Sequence, residues 1–139
     1  MTPSTILLID HEIYRIQSLS RGLRIAGHQV LEAETLQQAL RHVNAEPSQI
    51  DLIITDWSTP ILSRPELIRA LREKLPDIQV VLCTDFSSDN QGAEMLPWPV
   101  HHLIKPFSET DLVRMVETLC GCKKEDLSRK RHTRDIDFP

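Results

Sequence analysis

The 139-residue sequence has few cysteines and no long apolar run. Its three cysteines, Cys83, Cys120 and Cys122, cannot all pair within one chain, which excludes a fully paired disulfide framework. No apolar stretch approaches the roughly 20 residues of a membrane-spanning helix. The apolar run near the start is far too short for a signal peptide. We therefore expect a reduced, cytoplasmic protein that has no membrane partner.

A concentrated basic patch is also missing from the first 120 residues. Residues 1–120 carry 10 Lys and Arg against 16 Asp and Glu, a net charge of −6, whereas residues 121–139 carry 6 against 4, a net charge of +2. No basic patch that could neutralise the phosphates of a nucleic acid is evident in the acidic part, so we expect no nucleic acid binding by the domain itself. The charge balance favours a domain that handles a cation or a protein partner.

Short apolar runs alternate with segments of helical periodicity. The run at 6–9 is typical of a strand buried on both faces, and segment 12–26 has the three- and four-residue spacing of an amphipathic helix. Strands are predicted at 6–9, 28–33, 50–55, 78–83 and 100–104. The repeated strand–helix unit predicts an α/β fold, a doubly wound five-stranded parallel sheet with helices on both faces.

Several helix ends carry their own signals. Gly27 is placed to end the first helix in a left-handed conformation. Capping-box patterns at 35–38, 63–66 and 108–111 predict the starts of three further helices. The polar segment 85–95 predicts a short helix.

Polar residues follow most of the predicted strands. Asp10 follows the first strand, Asp56 the third, Thr84 the fourth and Lys105 the fifth. In a doubly wound sheet, ligands bind outside the carboxyl ends of the strands. Carboxylates suit Mg²⁺, one of them can attack phosphorus, and a lysine and a hydroxyl can bind the transferred phosphoryl oxygens. The pattern therefore indicates phosphoryl chemistry at this edge.

Over about residues 4–120 the chain resembles the receiver domain of two-component response regulators. The resemblance rests on ILLIDHE at 6–12, DLIITDWSTP at 51–60, VVLCTDFS at 80–87 and LIKPF at 103–107. These motifs occur together and in order at strand ends, which makes the combination far more specific than any one alone. The resemblance implies the CheY-like (flavodoxin-like) strand order 2-1-3-4-5 and a cis Lys105-Pro106 bond.

The resemblance also implies a role for each matching residue. Asp56 would accept the phosphoryl group, Lys105 would bind it, and Thr84 would be the switch hydroxyl, with His102 at the place of the switch aromatic. Mg²⁺ would be held by Asp10, Asp56 and the backbone carbonyl of Ser58.

The acidic pair of the family is incomplete here. His11 stands where the family has a second carboxylate, and imidazole is a poor ligand for Mg²⁺. We therefore expect weaker Mg²⁺ binding and slower phosphorylation than a complete site would give. His11 either marks a decayed site or selects softer ions such as Mn²⁺ or Zn²⁺. Asp85 replaces a small residue and could pair with His11, filling the pocket from within.

We accordingly expect a receiver domain at 1–121 and a polar tail at 122–139. It would take a phosphoryl group from a sensor histidine kinase or phosphotransfer protein and signal by a conformational change, without being an enzyme beyond self-catalysed phosphotransfer. The alternative is a phosphorylation-independent pseudo-receiver that binds other proteins. A homodimer through the last-helix face stays open. A hydrolase acting on an external substrate is disfavoured, because the chain lacks the Asp-x-Asp spacing of aspartyl-phosphate phosphatases.

Overall fold

Strands and helices alternate along the chain as the sequence predicts. The computed structural model describes residues 4–46, 49–56, 64–84 and 100–121. Their elements are β1 (Thr5–Ile9), α1 (Ile13–Ile25), β2 (Gln29–Ala33), α2 (Leu36–Ala45), β3 (Leu52–Asp56), α3 (Arg64–Lys74), β4 (Gln79–Thr84), β5 (His101–Ile104) and α4 (Glu109–Val116). A π-helical turn, Glu117–Gly121, continues α4. The helix predicted at 85–95 lies outside the described residues.

The strands form one parallel sheet in the order β2-β1-β3-β4-β5. This is the strand order that the resemblance implies. Because β1 has β2 on one side and β3 on the other, the strand order reverses at β1. The crevice beside the carboxyl ends of β1 and β3 is therefore the place where such a fold binds its ligands.

Two apolar layers, one on each face of the sheet, stabilise it. Successive strand residues point to opposite faces, so Leu7 joins the layer under α2 and α3 while Leu8 joins the layer under α1 and α4. Both leucines are essentially inaccessible to solvent, and each such side chain contributes about 1.5–3 kcal/mol by its burial. The layers hold the strand ends, and so the site, in fixed register. Among the described residues, no helix is both long enough and apolar enough to span a membrane.

Gly27, the glycine that the sequence singled out, follows the C-cap residue of α1. Gly27 has a φ of 102°, a left-handed conformation that costs glycine little. Its N–H donates to the Arg24 carbonyl at 2.9 Å, and the His28 N–H donates to the Leu23 carbonyl at 3.0 Å. This pair of bonds is the Schellman arrangement, which satisfies two of the last carbonyls of the helix.

Two of the predicted capping boxes lie among the described side chains. Ser108 Oγ accepts from the Asp111 N–H, and the Asp111 carboxylate accepts from the Ser108 N–H, so the box at the start of α4 is complete. At the start of α2, Thr35 Oγ1 accepts from the Gln38 N–H. Gln38 Oε1 accepts instead from the N–H of Glu34, one residue before the cap.

Strands β3 and β4 each end one residue later than the sequence predicts. Asp56 pairs with Cys83, and Thr84 pairs with Ile104 across the ladder. A polar side chain does not prevent its own backbone from completing a parallel ladder, so the apolar run underestimates the strand. As a result, both residues are held by the sheet itself and not by a loop.

Candidate functional site

The carboxyl edge of the sheet gathers polar side chains that are almost fully buried. Asp10, Asp56 and Thr84 are 3 %, 3 % and 2 % exposed. The Lys105 N–H donates to the Thr84 carbonyl at 2.8 Å, which joins the segment after β5 to the end of β4. The Lys105-Pro106 bond is cis, as expected. Four of the predicted site residues therefore lie at one edge.

A buried ion pair occupies the centre of this edge. Lys105 Nζ lies 2.9 Å from Asp56 Oδ1, and the Asp56 side chain is only 1 % exposed against 18 % for Lys105. A charge-assisted hydrogen bond of this length fixes the carboxylate and compensates for part of its desolvation. Asp56 and Lys105 thus lie as close as the resemblance requires.

Asp10 lies just before α1, and its carboxylate accepts a hydrogen bond from the backbone at the start of that helix. Its Oδ1 accepts from the Glu12 N–H at 2.9 Å, a local bond of the Asx-turn kind. Glu12, not Asp10, is the N-cap residue of α1, and its side chain makes no capping bond. The Asp10 carboxylate is consequently oriented both by the backbone and by a neighbouring side chain that the motifs do not indicate.

That neighbour is Arg15, on the first turn of α1. Its Nη1 lies 3.0 Å from Asp10 Oδ2, 3.2 Å from Asp10 Oδ1 and 3.5 Å from Asp56 Oδ2. Its Nη2 lies 2.9 Å from Glu12 Oε1. Burial opposes its charge, but the hydrogen bond and charge of Asp10, followed by the charges of Asp56 and Glu12, outweigh it and raise the pKa of Arg15.

One signal in the sequence could have revealed Arg15. The partial positive charge at a helix N-terminus repels a cation on the first turn. A lone arginine at the third helical position therefore needs nearby carboxylates. Asp10, five residues earlier, was available to supply one.

His11 also borders the two carboxylates. Its Nδ1 lies 3.5 Å from Asp10 Oδ1 and 3.5 Å from Asp56 Oδ2, and its side chain is 33 % exposed. Asp10, His11 and Asp56 each offer one ligand atom, and these atoms lie within 4.8 Å of one another. Asp85, its expected partner, and Ser58, whose carbonyl was expected to bind metal, lie outside the described residues.

The donors fit a divalent cation only in part. Asp10 and Asp56 supply the carboxylate oxygens that Mg²⁺ prefers. The imidazole of His11 and the guanidinium of Arg15 approach the same oxygens, and the latter is a permanent cation. A metal that bridged both carboxylates would have to share this space with Arg15.

The two adjacent histidines of β5 point to different surroundings, as strand geometry requires. His101 is half-buried, and its Nε2 lies 2.9 Å from Gln79 Oε1. Burial, with a smaller contribution from His102, lowers the pKa of His101. His102, the expected switch residue, is exposed. The pair therefore cannot serve one metal ion together.

Cys83 lies beside Asp56 in the β-ladder, but its thiol is unreactive. Burial, followed by the charge of Asp56, raises the pKa of the thiol to about 12. A thiol with that pKa stays protonated near neutral pH and is a poor nucleophile. Its interpretation as a small core residue is consistent with its place in the layer under α1 and α4.

Comparison with known proteins identifies the class. The family model of the response regulator receiver domain matches residues 6–117, so the chain belongs to this family. It is 32 % identical over 120 residues to the transcriptional regulatory protein PrrA of Mycobacterium tuberculosis, covering 86 % of this chain and 51 % of PrrA. It is 33 % identical over 124 residues to the phosphate regulon regulatory protein PhoB of Pseudomonas aeruginosa, covering 86 % and 52 %. The chain thus spans about half the length of these relatives.

Solved structures agree with this assignment. A receiver domain protein from Clostridium thermocellum matches with a TM-score of 0.76 at 29 % identity, over 87 % of this chain and 97 % of that one. The receiver domain of the hybrid histidine kinase CckA matches with a TM-score of 0.69 at 26 % identity, over 84 % and 99 %. The fold and family predicted from the sequence are confirmed.

Proposed function

We propose that this receiver domain accepts a phosphoryl group on Asp56 from a histidine kinase or phosphotransfer protein and passes the signal on by a conformational change. The observation that carries the proposal is the buried Asp56 carboxylate, 2.9 Å from Lys105 Nζ at the ligand-binding edge of a receiver fold. The domain is not an enzyme toward external substrates. At most it would catalyse the transfer of a phosphoryl group to its own Asp56.

In the proposed reaction an oxygen of Asp56 attacks the phosphorus of a phosphohistidine. The new O–P bond forms as the donor's P–N bond breaks, and the electron pair returns to the imidazole, which then takes up a proton. Lys105 can then bind an oxygen of the transferred phosphoryl group, because its ammonium already lies beside the Asp56 carboxylate and is partly solvated. Charge stabilisation of this kind is the main contribution a protein makes to phosphoryl transfer.

The site would work with Mg²⁺ less readily than a complete receiver does. His11 removes one carboxylate ligand and places an imidazole 3.5 Å from both remaining carboxylates. We therefore retain the expectation of weaker Mg²⁺ binding and slower phosphorylation. Thr84, buried at the end of β4, and His102, exposed on β5, would carry the change toward the surface of β5 and α4.

The second candidate function is a pseudo-receiver that binds proteins without phosphorylation. The favouring observation is that Asp56 Oδ2 already faces Arg15 and His11 at 3.5 Å, while Oδ1 faces Lys105. Nitrogen groups thus surround the acceptor that a phosphoryl donor would have to reach. These contacts would stabilise the unphosphorylated form of the domain and make Asp56 less reactive toward a phosphoryl donor.

Beryllofluoride, a phosphoryl mimic, distinguishes the two functions. Trp57 follows Asp56 directly, so its fluorescence in a Trp98→Phe background should change when beryllofluoride and Mg²⁺ are added. A change that disappears in Asp56→Asn supports the receiver. No response, or an equal response in Asp56→Asn, supports the pseudo-receiver. A response that appears only in His11→Asp would locate the defect at His11.

A further inference from the structure

A single nitrogen atom of Arg15 bridges two buried carboxylates from different strands. Its Nη1 lies within 3.2 Å of both oxygens of Asp10 and 3.5 Å from Asp56 Oδ2. Asp10 follows β1 and Asp56 ends β3, the two strands at which the strand order reverses. A positive charge in this position contacts both acidic groups at the ligand-binding edge.

Lys105 and Arg15 contact different carboxylate oxygens of the pocket. Lys105 bonds Asp56 Oδ1, whereas Arg15 faces Asp56 Oδ2 and the Asp10 carboxylate. Two basic side chains thus face the two buried carboxylates within the described site. The space between Asp10 and Asp56, where a divalent cation would have to lie to bind both, is next to the guanidinium.

Arg15 also has a contact on the outer side of the pocket. Glu12 Oε1 lies 2.9 Å from its Nη2, so the guanidinium has an anchor on the outer side of the pocket. The Arg15 side chain is 32 % exposed, and that of Glu12 is 51 % exposed. A swing toward Glu12 and solvent would therefore clear the carboxylates without unfolding α1.

We propose that Arg15 is a tethered cation, which takes the place of a divalent ion between Asp10 and Asp56 and must be displaced before such an ion binds. The inference rests on the proposed function, because the same pocket would receive the phosphoryl group. Two residues would then weaken metal binding in different ways. His11 stands where a carboxylate ligand would be, whereas Arg15 adds a positive charge that competes with the ion.

The test is direct titration with Mg²⁺ or Mn²⁺, followed by calorimetry and by Trp57 fluorescence in the Trp98→Phe background. Arg15→Met removes the charge but keeps a long side chain, and we expect it to tighten Mg²⁺ binding by about tenfold or more, since the ion then no longer has to displace a cation from the buried carboxylates. Arg15→Lys keeps the charge and should bind Mg²⁺ much less tightly than Arg15→Met.

Arg21→Met is the matched control. Arg21 is an exposed arginine on the same helix, so its loss changes the net charge equally without altering the pocket. We expect its Mg²⁺ affinity to stay within about twofold of the parent, a small effect typical of screened surface charge. Equal affinities for Arg15→Met and the parent would overturn the proposal, as would equal tightening in Arg21→Met.

Thermal unfolding covers the case in which Arg15→Met is unstable without metal. Tighter binding to the folded state raises the melting temperature more at a given Mg²⁺ concentration, so the Mg²⁺-induced rise should be larger in Arg15→Met than in the parent. An equal rise contradicts the tethered cation. Neither readout involves phosphorylation. Tight Mg²⁺ binding by Arg15→Met without a beryllofluoride response would refute only the receiver function, and unchanged Mg²⁺ affinity with a normal response would refute only this inference.

Discussion

The contact between Asp10 and Arg15 should be one of the stronger ion pairs of this domain, and a double-mutant cycle can measure it. The cycle uses Asp10→Asn, Arg15→Met and the double variant. Asparagine keeps an oxygen that can accept from the Glu12 N–H, so the local bond at 2.9 Å can survive. The coupling free energy then reports the charged contact and not the start of α1.

The expected coupling follows from burial and distance. The side chain of Asp10 is 4 % exposed and that of Arg15 is 32 % exposed, with the closest N–O distance at 3.0 Å. Exposed pairs contribute about 0.2–1 kcal/mol, and removing one partner of a fully buried pair costs about 3–5 kcal/mol. The pair lies between these limits and uses only one guanidinium nitrogen, so we expect a coupling of about 2 kcal/mol.

Urea unfolding, followed by circular dichroism without divalent ions, provides the free energies. Arg24 and Glu32 supply the matched control cycle, because their closest N–O distance is 3.4 Å and their side chains are 52 % and 32 % exposed. We expect less than about 0.5 kcal/mol from that pair. If the coupling of Asp10 with Arg15 is no larger than the control, the guanidinium is not held as the structure indicates.

Three further predictions concern the rest of the domain. The Cys83 thiol, with its pKa raised to about 12, should resist alkylation at pH 8 until the protein unfolds; peptide mapping that finds rapid labelling of the folded protein would contradict this. Gly27→Ala should lower the free energy of unfolding by about 1–2 kcal/mol, since a side chain at a φ of 102° is strained; an unchanged urea midpoint would be the opposing result. Because the folded pKa of His101 is lowered, its contribution to stability is present above the ordinary histidine pKa and is lost as the pH falls through the folded value. His101→Gln should therefore reduce the stability lost between pH 7.5 and pH 5, and an unaltered pH slope would count against the role of burial.

Local periodicity explains why so much of the fold could be predicted. Alternating strand faces and the three- to four-residue helical repeat are properties of short segments, as are Gly27 and the Ser108 capping box. The apolar runs predict the ends of β3 and β4 one residue before Asp56 and Thr84, because each run stops before the backbone ladder does.

The doubly wound class, the family and the edge that gathers Asp10, Asp56 and Lys105 follow from local patterns and motifs in the sequence. The sequence did not reveal Arg15 as a second cation at the two carboxylates, because that contact depends on the tertiary structure. Arg15 is local to Asp10 in the chain, but its distance to Asp56 depends on how β1 and β3 pair and how α1 packs on them. A long side chain takes the direction that the strongest accessible charges favour, and those charges come together only when the sheet is complete.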